Sequence, residues 1–136
     1  MVLGERRRAL DFFRKALDKD PQNTGTKEAL ITMHVERGDW EDVEHYQRQM
    51  VPLVPEGNDR VVLLMKIADT LNEKLIQPRQ AVEAYNQALA EEPGSRMILG
   101  KLLGLHEDAG NWREAVAVLM QLAEGEQEAT RKAKYW

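Results

Sequence analysis

The three histidines are the side chains of this 136-residue sequence that could bind a metal ion or transfer protons. His34 and His106 occupy the same position of an internal repeat, two repeats apart, so they fall on different helices and cannot share one metal ion. His45 has no other His or Cys one helical turn away, and the nearby Glu41 and Asp42 are more simply first-turn helix acids. We therefore expect these histidines to fill a partly buried aromatic position or a solvated face, without a metal ion.

Other catalytic patterns are missing from the sequence. There is no cysteine, which excludes disulfides, thiolate zinc sites and a cysteine nucleophile. Carboxylates are plentiful, but nothing distinguishes a catalytic pair from ordinary helix-surface acids. The sequence contains no Gly-rich loop with Lys, no H-E-x-x-H and no G-x-S-x-G. We predict a protein without catalytic residues and without a cofactor.

Composition narrows the class of protein further. The chain is 43% hydrophobic and 31% charged, and 19 Lys and Arg against 23 Asp and Glu give a net charge of −4 without a long basic run, so no nucleic-acid partner is expected. No apolar stretch approaches the roughly 18 residues that span a bilayer, and the Arg-rich start lacks the apolar run of a signal peptide. We expect a soluble, cytoplasmic protein that does not insert into membranes.

Helix-forming residues dominate, and no segment alternates as a strand does, so the fold class is predicted to be all-α. Pro, Gly and Asn interrupt the chain at regular intervals. Asp39 and Asn111 are expected to cap the helices that follow them, and Pro78 fits a first helical position. We predict helices over residues 4–19, 24–37, 40–53, 59–75, 78–91, 95–109, 112–124 and 127–136.

A repeated frame explains this regularity. Ala81, Tyr85, Ala88 and Pro93 read small, aromatic, small and proline at offsets 0, 4, 7 and 12. Offsets 0, 4 and 7 lie on one stripe of a helix, so small residues let two axes approach, and the proline ends the second helix. The same frame fits Ala9, Phe13, Ala16 and Pro21, and looser copies are Val43, Gln47, Met50 and Pro55, and Ala115, Leu119 and Leu122.

The first residues of these frames are separated by 34, 38 and 34 positions. Gly38-Asp39-Trp40 and Gly110-Asn111-Trp112 precede two of them at identical distances, which predicts a tight turn that anchors an aromatic side chain. With this period, two helices per repeat and this second-helix frame, the sequence resembles the tetratricopeptide repeat (TPR) family over nearly its whole length. The resemblance implies a right-handed α-solenoid of helix-turn-helix repeats.

The repeat frame divides residues 1–136 into one TPR-like domain. We expect a partial repeat over 1–21, full repeats over 22–55, 56–93 and 94–127, and the start of a further helix over 128–136. The third repeat has four additional residues near 72–79, which lengthen a helix or turn or form a binding loop. Neither end resembles a finished cap, so we expect a segment of a longer array, or ends buried by self-association.

The family's ligands usually lie in the concave groove lined by the first helix of each repeat, and the resemblance places twelve residues there. Six are acids against a single Lys, so we expect a protein or peptide partner of basic or mixed charge; keeping the array soluble is an equal alternative for these acids. The predicted groove residues are Glu28, Thr32, Glu36, Asp59, Val62, Lys66, Asp69, Met97, Gly100, Gly104, Glu107 and Asp108.

Two details of this groove shape the functional expectation. Gly100 and Gly104 form a G-x-x-x-G, which indicates close helix packing or room for a partner on the groove wall. The Lys and Asn with which TPR co-chaperones hold a C-terminal carboxylate are absent, so chaperone tails are not expected to bind. The prediction is a non-catalytic interaction module with an acidic groove. The alternatives are a self-assembling module that forms homo-oligomers through terminal helices, including Tyr135 and Trp136, or an accessory role within a multidomain enzyme.

Overall fold

The computed structural model describes residues 3–135 of the chain. Within that range the backbone is helical with no strand, which confirms the all-α fold class. The described elements are α1 (Leu3–Lys19), α2 (Thr24–Arg37), α3 (Trp40–Met50), a 3-10 turn (Val51–Leu53), α4 (Asn58–Asp69), a π-helical turn (Thr70–Lys74), α5 (Pro78–Glu91), α6 (Arg96–Asp108) and α7 (Trp112–Tyr135).

The helices pack as consecutive hairpins. The most extensive contacts join α2 with α3, α4 with α5, and α6 with α7, while α1 packs on α2 and α5 packs on α6. Each second helix is therefore followed by the first helix of the next pair, which is the arrangement of an all-α repeat fold. The largest buried cluster runs through α4, α5, α6 and the start of α7.

The repeated frame marks the buried stripe of the second helices. In α5, Ala81, Tyr85 and Ala88 are all at most 1% exposed, because α4 and α6 cover this helix from two sides. Residues Val43, Gln47 and Met50 are likewise buried in α3. In α7 the frame is only partly covered, since Ala115 is buried but Leu119 is 49% exposed.

The two Gly-x-Trp turns share one backbone conformation. Gly38 and Gly110 have φ angles of 75° and 74°, in the left-handed region where a Cβ is disfavoured. In both turns the residue after the glycine donates its backbone N–H to the histidine carbonyl of the preceding helix, at 2.9 Å for Asp39 and His34 and at 2.8 Å for Asn111 and His106. These bonds satisfy helix-end carbonyls and reverse the chain tightly.

Side chains at these turns differ from expectation. Asp39 precedes α3 but makes no capping hydrogen bond, because its carboxylate faces His34 and Arg37 instead. Trp40 is half-buried, with the Lys74 ammonium 5.0 Å from its ring centre. Trp112 is 65% exposed, so the prediction that both turns anchor their aromatic residue is wrong for the second turn.

The predicted break at Gly125 is also wrong. Helix α7 runs without interruption from Trp112 to Tyr135, so residues 128–136 do not begin a separate helix. A helical glycine costs about 1 kcal/mol relative to alanine, which the strong helix formers on both sides offset. Trp136 lies outside the described residues.

Two other predicted helices are divided. Residues 40–53 form α3 and then a 3-10 turn that contains Pro52, which lacks the N–H needed to continue an α-helix. Residues 59–75 form α4 and then the π-helical turn. Residues 72–79, where the additional residues were expected, span the end of that turn, a short loop and the start of α5, and Ile76 in the loop is 72% exposed.

A candidate partner-binding groove

A cleft between the first helices α2 and α4 brings together four of the predicted groove residues. Its volume is about 370 Å³. Glu28 of α2 faces Asp59, Val62 and Lys66 of α4 across it. The other lining residues are Thr24, Met50, Leu53, Val54, Pro55 and Leu63. An apolar floor with charged groups along the rim is the usual composition of a site that holds a peptide side chain.

Arg60 holds one wall of this cleft, a role that no local sequence pattern indicates. Its Nη2 and Nε donate to the Val54 carbonyl at 2.7 and 3.1 Å, and its Nη1 donates to Glu91 at 3.3 Å. The side chain is only 21% exposed. Arg60 therefore ties the segment before α4 to the end of α5, and a charge-assisted fork of this kind holds Val54 in place.

Asp69 is engaged with neighbouring helices. It accepts a hydrogen bond from the hydroxyl of Tyr85 in α5, and its Oδ1 lies 3.7 Å from Lys101 Nζ in α6. Burial and then the neighbouring Asp69 raise the pKa of the Tyr85 hydroxyl well above its ordinary value. The sequence analysis did not include Lys101, which lies one helical turn from Met97 and offsets the charge of Asp69.

Gly100 and Gly104 form a bare strip on α6. A Cβ built on either residue would meet no atom within 4 Å, so neither glycine serves close helix packing. The packing alternative for this G-x-x-x-G is wrong in the described chain. What remains is an open stretch of helix backbone beside Lys101, with room for atoms that are not part of this chain.

The other predicted groove residues are exposed, but they do not line the α2–α4 cleft. Thr32 uses its hydroxyl within α2, donating to the Glu28 carbonyl at 3.0 Å. The remaining four stand on α2 and α6 and are Glu36, Met97, Glu107 and Asp108.

A second cluster lies at the α2–α3 turn, where His34 meets two carboxylates. His34 is 1% exposed and stacks on Tyr46, and its Nδ1 lies 3.3 Å from Asp39 and 3.8 Å from Asp42. These three groups could together hold a metal ion. However, Arg37 Nε lies 3.3 Å from the same Asp39 oxygen and already neutralises it. His34 Nε2 has no hydrogen-bond partner among the described residues, so the hydrogen bond that typically orients a metal-binding histidine is missing. We interpret the cluster as a hydrogen-bonded turn.

Comparisons with known proteins relate the chain to one group of solved structures. No protein-family model and no curated protein matches the sequence. A MamA structure, the MamA RS-1 ArsTM double mutant, superposes with a TM-score of 0.63 at 15% identity, covering 93% of this chain and 69% of its own. A second, MamA MSR-1 C2, gives 0.63 at 14% identity, covering 93% and 70%.

These structures are TPR-like helical solenoids, so the likeness supports the repeat fold. At 14% to 15% identity, it supports the fold and no more specific property. None of the described helices combines the length and apolar composition that a membrane crossing requires. The chain thus has an all-α, TPR-like repeat architecture with an open cleft on its first helices.

Proposed function

We propose that the chain is a non-catalytic protein-interaction module that binds a basic or mixed-charge peptide, helix or loop in the groove of its first helices. The observation that carries this proposal is the α2–α4 cleft. Met50, Leu53 and Leu63 supply an apolar floor, and Glu28 and Asp59 stand on the rim where a cationic side chain of a partner would meet them.

The charge of the bound segment follows from which acids remain available. Asp69 is engaged with Tyr85 and Lys101, whereas Glu28 and Asp59 are exposed and have no ion-pair partner among the described residues. Lys66 on the same cleft favours a partner that also carries an acid. A mixed-charge segment with an apolar anchor therefore suits the cleft better than a uniformly basic one.

Peptide capture with a charge-reversed cleft tests the proposal. The immobilised chain selects from a library of peptides that differ in net charge, at low and moderate salt. The reversed variant carries Glu28→Lys and Asp59→Lys. A matched control carries Asp11→Lys and Glu83→Lys, which make the same charge change at exposed positions of α1 and α5. Loss of the selected peptides with the first variant alone supports the groove, and equal capture by all three proteins contradicts it.

Asp69 is not suitable for this reversal. A cation there would face Lys101 and would leave the Tyr85 hydroxyl without its acceptor, so folding and binding would change together. The cleft acids reduce this ambiguity, since neither makes a side-chain hydrogen bond or ion pair with another described residue. Asp59→Lys places a cation in the first turn of α4, which should cost less than about 1 kcal/mol.

Self-association is a second candidate, favoured by an uncovered stripe on α7. Trp112, Val116, Leu119 and Met120 are between 49% and 65% exposed and lie on one side of the helix. An antiparallel pair of α7 helices from two copies would place Val116 opposite Leu119 and Trp112 opposite the small Ala123, as a two-fold interface requires.

Sedimentation over a range of concentrations tests this second candidate. Leu119→Lys with Met120→Lys should abolish the dimer, whereas Ala117→Lys with Gln121→Lys, at exposed positions away from this stripe, should leave it intact at the same added charge. A wild-type chain that stays monomeric at every concentration contradicts it. The predicted contribution of Tyr135 and Trp136 stays a prediction, because the Tyr135 side chain and Trp136 lie outside the described residues.

A further inference from the structure

A second open cavity lies apart from the α2–α4 cleft, between α1, α2 and α3. Its volume is about 530 Å³, and it shares no lining residue with the α2–α4 cleft. Helix α1 and the loop after it contribute one wall, and α2 and α3 contribute the rest. The lining residues are Arg14, Leu17, Asp18, Pro21, Lys27, His45, Tyr46 and Gln49. We call it the basic cavity after Arg14, Lys27 and His45.

Lys27 is the unusual member of this set. It is only 5% exposed, and its ammonium has no ion pair or hydrogen bond with any of the described residues. Every other charged side chain of the cavity is exposed. The methylene groups of Lys27 are covered while its ammonium opens into the cavity, and lysines are almost never this buried unless they are paired.

The helix that carries Lys27 makes its position still less favourable. Lys27 lies in the first turn of α2, and that turn contains no acid. The amino end of a helix has a partial positive charge, which favours anions and opposes a cation. An anion in the cavity would pair with this ammonium and would also interact favourably with the amino end of α2.

The other walls are suited to the same ligand. Arg14 adds a second cation against the single acid Asp18, which gives the cavity a net positive charge in a chain whose net charge is −4. Three side chains of α3 contact one another along the cavity wall. Gln49 Nε2 lies 2.8 Å from His45 Nε2, and the His45 ring packs edge-on against the Tyr46 ring with 5.2 Å between their centres. These groups add hydrogen-bonding capacity at fixed positions.

We propose that the basic cavity binds an oxyanion group, a carboxylate or a phosphate, with Lys27 as its principal cation and Arg14 as the second. Lys27 and Arg14 donate to the anion's oxygens, and the amino end of α2 adds its partial charge. Asp18 opposes binding and limits the charge of the ligand that the cavity accepts.

The competing explanation is that Lys27 extends its methylene groups along the core and hydrates its ammonium with cavity water. Substitution by methionine separates the two, because methionine keeps a similar length and removes the charge. Without a ligand, Lys27→Met should raise the midpoint of thermal unfolding by roughly 1–4 °C, since a cation disappears from the first turn of α2. Lys15→Met, at an exposed position of the neighbouring α1, is the matched control and should leave the midpoint unchanged.

Titration with inorganic phosphate and with succinate, each against chloride at equal ionic strength, supplies the ligand arm. Amide chemical shifts of the wild-type chain should move around Lys27 and Tyr46, and the oxyanion should raise its unfolding midpoint. Binding of phosphate alone would indicate a phosphate site, and binding of succinate alone would indicate a carboxylate site. Lys27→Met should weaken that binding by roughly ten- to a hundredfold, the loss expected for a charge-assisted hydrogen bond.

Asp18→Asn gives a prediction of opposite sign, because it removes the acid that opposes the ligand and should strengthen binding. A wild-type chain that binds neither phosphate nor succinate overturns the proposal, and so does a Lys27→Met variant that binds the oxyanion as tightly as the Lys15→Met control. Neither result bears on peptide binding in the α2–α4 cleft, so the two proposals fail separately.

Discussion

Helix pairs α4–α5 and α6–α7 are built on one frame but differ in what covers them. Tyr85 of α5 and Leu119 of α7 hold equivalent positions, and they are 1% and 49% exposed. On the first helices, Val62 and Lys66 of α4 correspond to Gly100 and Gly104 of α6. The repeat frame therefore predicts which side chains face a neighbouring helix, but it does not say whether a neighbour is present.

Truncation of the two equivalent residues, Tyr85 and Leu119, should show the largest difference in unfolding free energy. Tyr85→Ala removes a fully buried ring and should cost about 3–5 kcal/mol of unfolding free energy, whereas Leu119→Ala should cost less than about 1 kcal/mol. Urea unfolding of both variants at a protein concentration low enough to keep the chain monomeric measures the difference. Equal losses would mean that α7 is covered in solution.

The ion pairs of the two helix pairs should also differ. Arg60 is 21% exposed and bonds the Val54 carbonyl as well as Glu91, while Arg96 and Glu126 form an ion pair in which both side chains are about two-thirds exposed. Arg60→Met should cost about 1.5–3 kcal/mol, and Arg96→Met less than about 1 kcal/mol. Denaturant unfolding compares the two, and a neutral Arg60→Met would show that the Val54 wall holds itself in place.

The stability of the chain should depend on pH through the buried hydroxyl of Tyr85, for which Leu119 has no equivalent. Its folded-state pKa is raised by burial and by Asp69, so its contribution is fully present below the ordinary tyrosine pKa of about 10 and is lost as the pH rises through the folded-state pKa. Between the ordinary and the folded-state pKa, wild type should lose up to about 1.4 kcal/mol of unfolding free energy per pH unit more than Tyr85→Phe. Parallel stability curves for the two proteins up to high pH would contradict this assignment.

The smallest expected effect concerns the bare strip on α6. Gly100→Ala and Gly104→Ala should each stabilise the chain by about 0.5–1 kcal/mol, because alanine favours the helix and its Cβ meets nothing. Thermal unfolding measures this gain. The same variants should bind the captured peptides less well if a partner lies against the strip, and unchanged affinity would restrict the site to the α2–α4 cleft.

The sequence was most informative where local chemistry determines structure. The frame at Ala81, Tyr85 and Ala88 and the glycines of the two sharp turns follow from helix spacing and backbone conformation, so fold class and most helix bounds were predictable. Gly125 shows the limit of that reasoning, because a glycine ends a helix only where the chain turns. At residue 125 strong helix formers continue on both sides.

The candidate sites were less predictable because they depend on contacts between distant residues. Glu28, Asp59, Val62 and Lys66 line one cleft, and their role in partner binding stays a prediction. Nothing local indicates that Arg60 bonds the Val54 carbonyl or that Lys101 approaches Asp69 from the next repeat. Lys27 is a similar case, since its burial depends on α1 and α3 packing around α2.

Amide chemical shifts can show whether the α2–α4 cleft holds a partner segment. The tightest peptide from the capture experiment is titrated into the isotope-labelled chain. We predict that the largest shifts fall on Thr24, Leu63 and Lys66, which line the cleft. Glu28→Lys with Asp59→Lys should abolish these shifts. Shifts confined to α7, or shifts that survive the charge reversal, would contradict it.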